Sequence, residues 1–242
     1  MRILVVSDIH ANLEALQSVV EKAGPVDATW CLGDITGYGP NPNECIDLVR
    51  ELPNVECIRG NHDVAVLGDI DATLFNQEAK LSVQWQRNNL RPESKKFLND
   101  LPDRIETAHV LLVHGSPRNP IWEYLLEPYL ARVNFDHFSQ PFCFVGHTHQ
   151  PLICIWDNEK EVMEWGAPLI EQVVLMNKRM ILNPGSVGQP RDYDARASYA
   201  IFDDEKMTWE VCRVEYDVAA VQKKILEANL PIRHAQRLSS GW

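Results

Sequence analysis

Short apolar runs alternate with helical patterns along the first part of the chain. Five of the runs have strand character, and Asp, His or Asn follows each within three residues. They cover residues 3–6, 29–32, 55–58, 110–113 and 142–145. After the first run, apolar residues recur at helical spacing from Leu13 to Val20, and Gly24-Pro25 end this segment. A second helix is predicted from about Asn43 to Arg50. This alternation of strand and helix indicates βαβ units and an α/β fold.

The pattern changes in the later parts of the chain. From about 71 to 101 it is helical without strands, which predicts a helical insertion over one edge of the site. Beyond Pro151 five short segments predict an antiparallel second sheet; they cover residues 152–156, 161–165, 179–182, 198–202 and 208–214. A last helix is predicted from about Val218 to Ala228, and the tail from Arg233 is expected to be loose. No linker or repeat divides the chain, so we expect one domain over residues 1–242.

The composition is that of a globular protein with a sizeable core. The 242 residues are 45% hydrophobic and 24% charged, and the formal net charge is −11. A negative surface repels nucleic acid, so no nucleic-acid-binding surface is expected, and a phosphate substrate must be attracted by local cations such as bound metal ions. The composition leaves the oligomeric state open.

The compartment is indicated by what the sequence lacks. Its six cysteines are scattered rather than paired, which favours a reducing compartment over a disulfide scaffold. The N-terminus has no signal-peptide pattern, and no apolar run approaches the roughly 20 residues that a membrane helix needs. We therefore expect a cytoplasmic protein without a membrane span.

Polar residues after the five strand-like runs form five short motifs. They are Asp8-Ile9-His10, Gly33-Asp34, Gly60-Asn61-His62-Asp63, His114-Gly115 and Gly146-His147-Thr148-His149. Open sheets bind ligands beyond the carboxyl ends of their strands, so the motifs are expected to converge. The two-residue spacing in the first and last motifs is expected to place both side chains on one face of a strand, within reach of one ion. Carboxylate and imidazole donors without thiolate suit Mn, Fe, Zn, Co or Ni, and the set predicts a two-metal hydrolytic site.

A structural interpretation of these residues is the alternative. A histidine in a strand usually belongs to the core or the surface, and an aspartate in a turn is usually a cap. We expect this for His109, His137 and His234. The candidate metal ligands would need seven coincidences at strand ends; they are Asp8, His10, Asp34, Asn61, His114, His147 and His149. The metal site is therefore the preferred interpretation.

The ordered motifs resemble those of the calcineurin-like metallophosphoesterase family. The resemblance covers nearly the whole chain and is greatest for small bacterial and archaeal phosphodiesterase-like members, which share the segments 7–12 and 183–188 (Ser-Asp-Ile-His-Ala-Asn and Asn-Pro-Gly-Ser-Val-Gly). It implies a four-layer α/β/β/α sandwich with a dimetal centre between the carboxyl edges of two sheets. It also implies the ligand sets: Asp8, His10 and His149 for the first ion, Asn61, His114 and His147 for the second, and Asp34 as the bridge.

The function implied by the resemblance is that of a dimetal phosphoesterase. We expect a phosphodiesterase with two divalent ions, Mn²⁺ in the first place and otherwise Fe, Zn, Ni or Co, that hydrolyses P–O bonds by in-line attack of a metal-bridging hydroxide. The expected catalytic residues are Asp34 and His62, the latter as general acid or stabiliser of the leaving oxygen. Phosphomonoester, dinucleoside polyphosphate and phosphoprotein hydrolysis are alternatives on the same centre. One branch of the fold serves as a non-catalytic scaffold, but it lacks the histidine that stands here as His62.

The substrate contacts are less specified by the pattern. Arg118 and Arg191 are candidates because a guanidinium can donate two hydrogen bonds to one phosphate, although each could equally be a solvated surface residue. Trp122 and Tyr124 could stack on a base or aryl group, and packing is the interpretation that we favour for both. The segment 191–196 departs from close relatives, which commonly have Gly and Pro in place of Tyr193 and Ala195, so the resemblance implies no role for this loop, including Arg196. Arg191 is a candidate on the chemistry of its guanidinium alone.

Overall fold

Two six-stranded sheets pack face to face in the computed structural model, which describes residues 1–68 and 75–242. The strands are β1 (Arg2–Val6), β2 (Ala28–Cys31), β3 (Val55–Cys57), β4 (Arg104–Glu106), β5 (Val110–Val113), β6 (Phe142–Phe144), β7 (Pro151–Asp157), β8 (Val162–Gly166), β9 (Val173–Leu175), β10 (Arg179–Pro184), β11 (Ala197–Asp203) and β12 (Thr208–Val214). The helices are α1 (Leu13–Ala23), α2 (Pro42–Glu51), α3 (Asn61–Leu67), α4 (Gln77–Asn89), α5 (Pro92–Asp100), α6 (Pro128–Asn134), α7 (Val218–Glu227) and α8 (Ile232–Leu238), with a 3₁₀ turn at Phe135–His137.

Both sheets are mixed. The first has the order β3-β2-β1-β11-β12-β9, and the second the order β4-β5-β6-β10-β7-β8. In the first sheet β1, β2 and β3 run parallel, whereas β11 joins β1 in the antiparallel sense. In the second sheet β5 and β6 run parallel to each other. The carboxyl ends of these five parallel strands carry the five polar motifs.

Alternation along the strands distributes the apolar side chains between two cores. In β1, Ile3 and Val5 face the second sheet, while Leu4 and Val6 face the helices that cover the first sheet. All four side chains are at most 1% exposed, as expected for a parallel strand with both faces covered. A third core lies between the second sheet and α6. The layers thus form the four-layer α/β/β/α sandwich that the resemblance implies.

The helices of the first half end where the sequence indicates. The side chain of Asn12 caps α1 by accepting a hydrogen bond from the backbone N–H of Ala15 at 3.1 Å, and the backbone N–H of Gly24 bonds back to Val20 and Glu21. The predicted insertion contains α4 and α5, and its first residues, 71–74, lie outside the described residues.

Two expectations about the later part of the chain were wrong. The five segments beyond Pro151 are strands, but they do not form a sheet of their own: β11 and β12 extend the first sheet, and β7, β8 and β10 belong to the second. The reason is that β1 is buried on both faces and needs a hydrogen-bonded strand along each edge. β2 pairs with one edge, and β11 pairs with the other. The tail from Arg233 is not loose, because α8 buries Ala235 and Leu238 against α7 and His234 against Tyr38.

Candidate metal centre

The strand ends of both sheets deliver the candidate ligands to one place. Asp8 and His10 follow β1, Asp34 follows β2, Asn61 begins α3 after β3, His114 follows β5, and His147 and His149 follow β6. Each of the seven side chains is at most 2% exposed. The predicted convergence is therefore observed, with three strands of one sheet facing two of the other.

Left-handed backbone conformations aim these side chains. Asp8, His10, Asp34, His147 and His149 have φ values of 53°, 49°, 53°, 65° and 60°. Such a conformation is uncommon for a residue with a Cβ atom and costs on the order of 1–3 kcal/mol each. Since β1 ends at Val6 and β6 at Phe144, the expectation that strand alternation would align the two pairs was wrong. The loops, rather than the strands, bring each pair together.

A first group of donor atoms is centred on Nε2 of His10. This atom lies 3.0 Å from Nε2 of His149, 3.8 Å from Oδ1 of Asp8 and 3.7 Å from Oδ2 of Asp34. Nε2 of His149 is in turn 3.4 Å from Oδ1 of Asp8. Four potential ligand atoms thus face one small volume.

A second group is centred on Nε2 of His114. This atom lies 3.1 Å from Oδ1 of Asn61, 3.1 Å from Nδ1 of His147 and 3.3 Å from Oδ2 of Asp34. Oδ2 of Asp34 therefore belongs to both groups, while Oδ1 of Asp34 accepts a hydrogen bond from the backbone N–H of His62 at 2.8 Å.

The spacing of these atoms fits ligand shells rather than ordinary hydrogen bonding. Metal–ligand bonds of about 2.1 Å set neighbouring donors about 3.0 Å apart at a right angle and about 3.4 Å apart at the tetrahedral angle. Oδ1 of Asp8 and Oδ2 of Asp34 are buried and have no hydrogen-bond donor among the described residues. Buried lone pairs without a donor are costly unless a cation binds them. The two groups are consistent with a dinuclear metal site.

Backbone carbonyls orient the imidazole rings from outside. Nδ1 of His10, His114 and His149 donates to the carbonyl oxygens of Thr36, Leu32 and Gln189 at 2.8, 2.8 and 2.6 Å. Nε2 of His147 donates to the carbonyl of Trp122 at 3.2 Å. A proton on the outer nitrogen leaves the lone pair of the inner nitrogen for a metal ion, the usual support of a metal-binding histidine.

The pKa of His114 is shifted in the opposite direction from the pKa values of the other three candidate histidine ligands. Burial lowers the pKa of His10, His147 and His149 well below the ordinary value, which favours the neutral, ligating form. Burial also acts to lower the pKa of His114, but the charge of Asp34 outweighs it and raises this pKa to about 9. Conversely, burial acts to raise the pKa of Asp34, and the charge of His114 holds it below its ordinary value. A cation at this position must therefore displace a proton from His114.

The carboxylate of Asp8 has a different environment. Burial raises the pKa of Asp8 to about 7. Its Oδ2 accepts hydrogen bonds from the hydroxyl of Ser7 at 2.7 Å and from the backbone N–H of His147 at 3.1 Å. These two bonds direct Oδ1 toward the first group of donors.

His62 and Arg191 meet beside the two groups, at a tyrosine that the motifs did not indicate. Nε2 of His62 lies 3.1 Å from the hydroxyl oxygen of Tyr38, and an Nη of Arg191 donates to the same oxygen at 3.2 Å. His62 also lies close enough to His10 and Asp34 to share an ion with them. Burial lowers the pKa of His62 to about 4. The only sequence signal for Tyr38 is its position between two glycines.

Arg118 lies in a different environment from Arg191. Its Nε is 2.9 Å from both carboxylate oxygens of Glu123, and its Nη also pairs with that carboxylate. Glu123 further accepts hydrogen bonds from Ser116 at 2.7 Å and Asn134 at 2.8 Å. The guanidinium thus stabilises the loop after β5 through its ion pair with Glu123. A direct contact between Arg118 and the substrate stays a prediction.

The remaining histidines and aromatic residues mostly agree with the structural interpretation. His109 and His137 are exposed. His234 is 3% exposed, and its ring packs edge-on against Tyr38 at 4.9 Å. The ring of Tyr124 stacks on His147 at 3.6 Å, so this tyrosine packs against a candidate ligand.

Comparison with known proteins gives concordant similarities. The Calcineurin-like phosphoesterase superfamily domain matches residues 1–207. An uncharacterized protein of Methanocaldococcus jannaschii is 39% identical over an alignment 249 positions long, which covers 99% of this chain and 98% of that protein. A crystal structure of a metallophosphoesterase from Sphaerobacter thermophilus shares 45% identity and a TM-score of 0.91, with both chains covered completely. The phosphodiesterase YfcE of Escherichia coli K12 is 24% identical over 220 residues, 86% of this chain and 90% of that protein.

Proposed function

Because the chain belongs to the calcineurin-like phosphoesterase superfamily, we propose that it is a phosphodiesterase with a centre of two divalent ions. The enzyme class, metallophosphoesterase, follows from the family and from the Sphaerobacter thermophilus relative. The preference for diesters is supported by the more distant YfcE phosphodiesterase, which spans most of the chain. One observation carries the dimetal assignment: Oδ2 of Asp34 lies within 3.7 Å of Nε2 of His10 and within 3.3 Å of Nε2 of His114.

The donor atoms divide into two proposed sets. Asp8, His10 and His149 would hold the first ion; Asn61, His114 and His147 would hold the second, with Asp34 between them. Nitrogen and oxygen donors without thiolate suit Mn²⁺, which we propose as the metal, although Fe, Zn, Ni or Co would also fit. When bound, two such ions supply Lewis acidity that activates water as a nucleophile and neutralises charge on the phosphoryl oxygens.

The chain's own residues would complete the reaction at the edge of this centre. Arg191 carries a positive charge in a partly buried position, and its Nε is buried without a hydrogen-bond partner among the described residues. A guanidinium with an uncommitted N–H can hold a non-bridging phosphoryl oxygen. His62 would donate a proton to, or a hydrogen bond toward, the leaving oxygen, as the resemblance implies.

We further propose that residues 1–242 act as one domain. The ligands come from both sheets, and α8 near the C-terminus packs His234 against the tyrosine that contacts His62 and Arg191. In the part of the chain that the structure describes, no helix is long and apolar enough to span a membrane.

Hydrolysis of two chromogenic esters tests the function. With Mn²⁺ added, the protein should hydrolyse bis-p-nitrophenyl phosphate with a higher kcat/KM than p-nitrophenyl phosphate. His62→Ala should be impaired, whereas His137→Ala, which alters an exposed histidine outside the centre, should match the wild type. A preference for the monoester would assign a phosphomonoesterase instead. No turnover of either ester or of a nucleotide panel, with both ions bound, would contradict the proposed function.

A further inference from the structure

Tyr38 connects the two groups that would act on the phosphate. Its hydroxyl oxygen is the shared hydrogen-bond partner of Nε2 of His62 and an Nη of Arg191. The guanidinium carbon of Arg191 also lies 5.8 Å from the centre of the Tyr38 ring. We propose that Tyr38 is a positioning residue that fixes His62 and Arg191 relative to each other at the phosphoryl site. This rests on the proposed function in so far as His62 and Arg191 are the groups that meet the substrate.

The backbone around Tyr38 holds the ring at a conformational cost. Tyr38 has φ 51°, in the left-handed region that an aromatic residue rarely adopts. Gly37 must be a glycine, because a Cβ atom there would lie 2.5 Å from Nδ1 of His62 and 2.8 Å from Nδ1 of His10. A Cβ atom at Gly39 would overlap the backbone carbonyl of His10. A strained backbone of this kind persists only where its surroundings impose it, which is typical of functional sites.

The helical insertion forms hydrogen bonds with this turn on both sides of Tyr38. The side chain of Gln86 in α4, which is fully buried, accepts a hydrogen bond from the backbone N–H of Gly37 at 2.6 Å. Its amide nitrogen donates to the carbonyl of Gly39 at 2.7 Å. From α8, the ring of His234 packs on Tyr38, and Nε2 of His234 donates to the carbonyl of Glu78 in α4 at 3.2 Å. Two elements outside the metal motifs therefore hold Tyr38 in place.

The hydrogen-bonding capacity of the three side chains fixes the tautomer of His62. Nδ1 of His62 is buried without a hydrogen-bond partner in the described parts of the chain, and the close packing of Gly37 leaves no room beside it. An unpaired lone pair at Nδ1 costs less than an unpaired N–H, so the proton resides on Nε2 and points at Tyr38. Arg191 donates to the second lone pair of the same oxygen. Tyr38 thus keeps the proton of His62 on Nε2.

The first test removes the hydroxyl and keeps the ring. Tyr38→Phe should lower kcat/KM roughly 10- to 100-fold, the effect of losing a hydrogen bond to a charged group, with unchanged metal content and melting temperature. Tyr199→Phe is the matched control, because Tyr199 is also buried (3% exposed, against 8% for Tyr38) but lies in β11 among apolar residues. In a His62→Ala or Arg191→Ala background, the Tyr38→Phe loss should shrink to less than about threefold, as expected for residues that act as a unit. The same loss in all backgrounds would show that Tyr38 does not act through them and would overturn the proposal.

The second test does not depend on turnover. In the Zn²⁺-loaded protein, ¹⁵N spectroscopy should show His62 protonated at Nε2, and Tyr38→Phe should shift the tautomer toward Nδ1. Calorimetry with inorganic phosphate should show weaker binding by Tyr38→Phe and wild-type affinity for Tyr199→Phe. An unchanged tautomer together with unchanged phosphate affinity would overturn the proposal. A wild-type protein that hydrolyses no ester but shows both effects would contradict the proposed function alone.

Discussion

The Oδ2 atom of Asp34 lies 3.3 Å from Nε2 of His114, and no described residue donates a hydrogen bond to it. The other carboxylate oxygen is held by the backbone N–H of His62, so a single oxygen atom is left to face both groups of donors. Gly60 makes this possible, because a Cβ atom there would overlap Oδ1 of Asp34. The position of the carboxylate is thus set by three strand ends at once.

Asp34→Asn should reduce kcat by more than about 100-fold, beyond the 10- to 100-fold range usual for residues that only support metal ligands. An amide cannot supply the same anionic oxygen to two cations, and its nitrogen would face them if the side chain flipped. The comparison variant is Ser7→Ala, which removes only a hydrogen bond to Asp8. Steady-state kinetics with metal analysis of both proteins checks this, and near-wild-type activity of Asp34→Asn with full metal content would contradict the bridging role.

The protein should bind two divalent ions per chain. After loading with Mn²⁺, elemental analysis or anomalous scattering is expected to give close to two ions. His149→Ala should weaken binding of the first ion, and His147→Ala should weaken binding of the second. The reason is that each residue contributes to only one group of donors. A single ion in the wild type, with Asp34 contacting only that ion, would rule out the dinuclear centre.

Residue types at strand ends were sufficient to predict the candidate ligands, whereas their geometry was not. Asp8 and His10 were expected to align by strand alternation, but both lie beyond β1 in left-handed conformations. Conformations of this kind depend on packing from distant loops: the backbone N–H of Gly188 bonds to the carbonyl of Asp8, and that of Ala11 bonds to Ile35. Local sequence does not encode contacts that span such separations.

The same reasoning explains what the sequence did not indicate at Tyr38. A Gly-Tyr-Gly segment is typical of any turn, and its role appears only when Gln86 and His234 approach from α4 and α8. The α8 helix itself was missed because Ile232, Ala235 and Leu238 give too short an apolar repeat after a proline. Likewise, β11 could be recognised as a strand, but its partner could not be chosen from its own residues.

Substitution of His62 should distinguish a role in proton transfer to the leaving group from a role in binding the phosphate. His62→Ala is expected to keep its metals and fold and to lose roughly 10²–10⁴-fold in rate on an alkyl or ribose leaving group, the usual contribution of a general acid. The loss should be smaller with p-nitrophenolate, which leaves with little need for a proton. Rate measurements on the two classes of diester test this.

Equal losses on both classes would mean that His62 orients the phosphate or shapes the turn at Tyr38 instead. Loss of metal from His62→Ala would place it in the coordination shell, which its proximity to His10 and Asp34 makes a meaningful outcome. Elemental analysis of the variant distinguishes this result from a purely kinetic one.

His234 should make the stability of the fold depend on pH. Burial lowers the pKa of His234 to about 4, from an ordinary value of 6.5 in the unfolded chain. Between these values the unfolded chain binds a proton that the folded chain does not, so this contribution to stability is present above pH 6.5 and is lost as the pH falls to about 4. The shift corresponds to about 2 kcal/mol of unfolding free energy lost between pH 7 and pH 5. Urea unfolding of the wild type and of His234→Asn at both pH values measures it, because the other titrating groups are common to the two proteins. The stability gap between them should narrow at pH 5. A gap that stays constant would mean that His234 has the same pKa in the folded and the unfolded chain, and a gap that widens would mean that its pKa is raised in the folded protein beside Glu78.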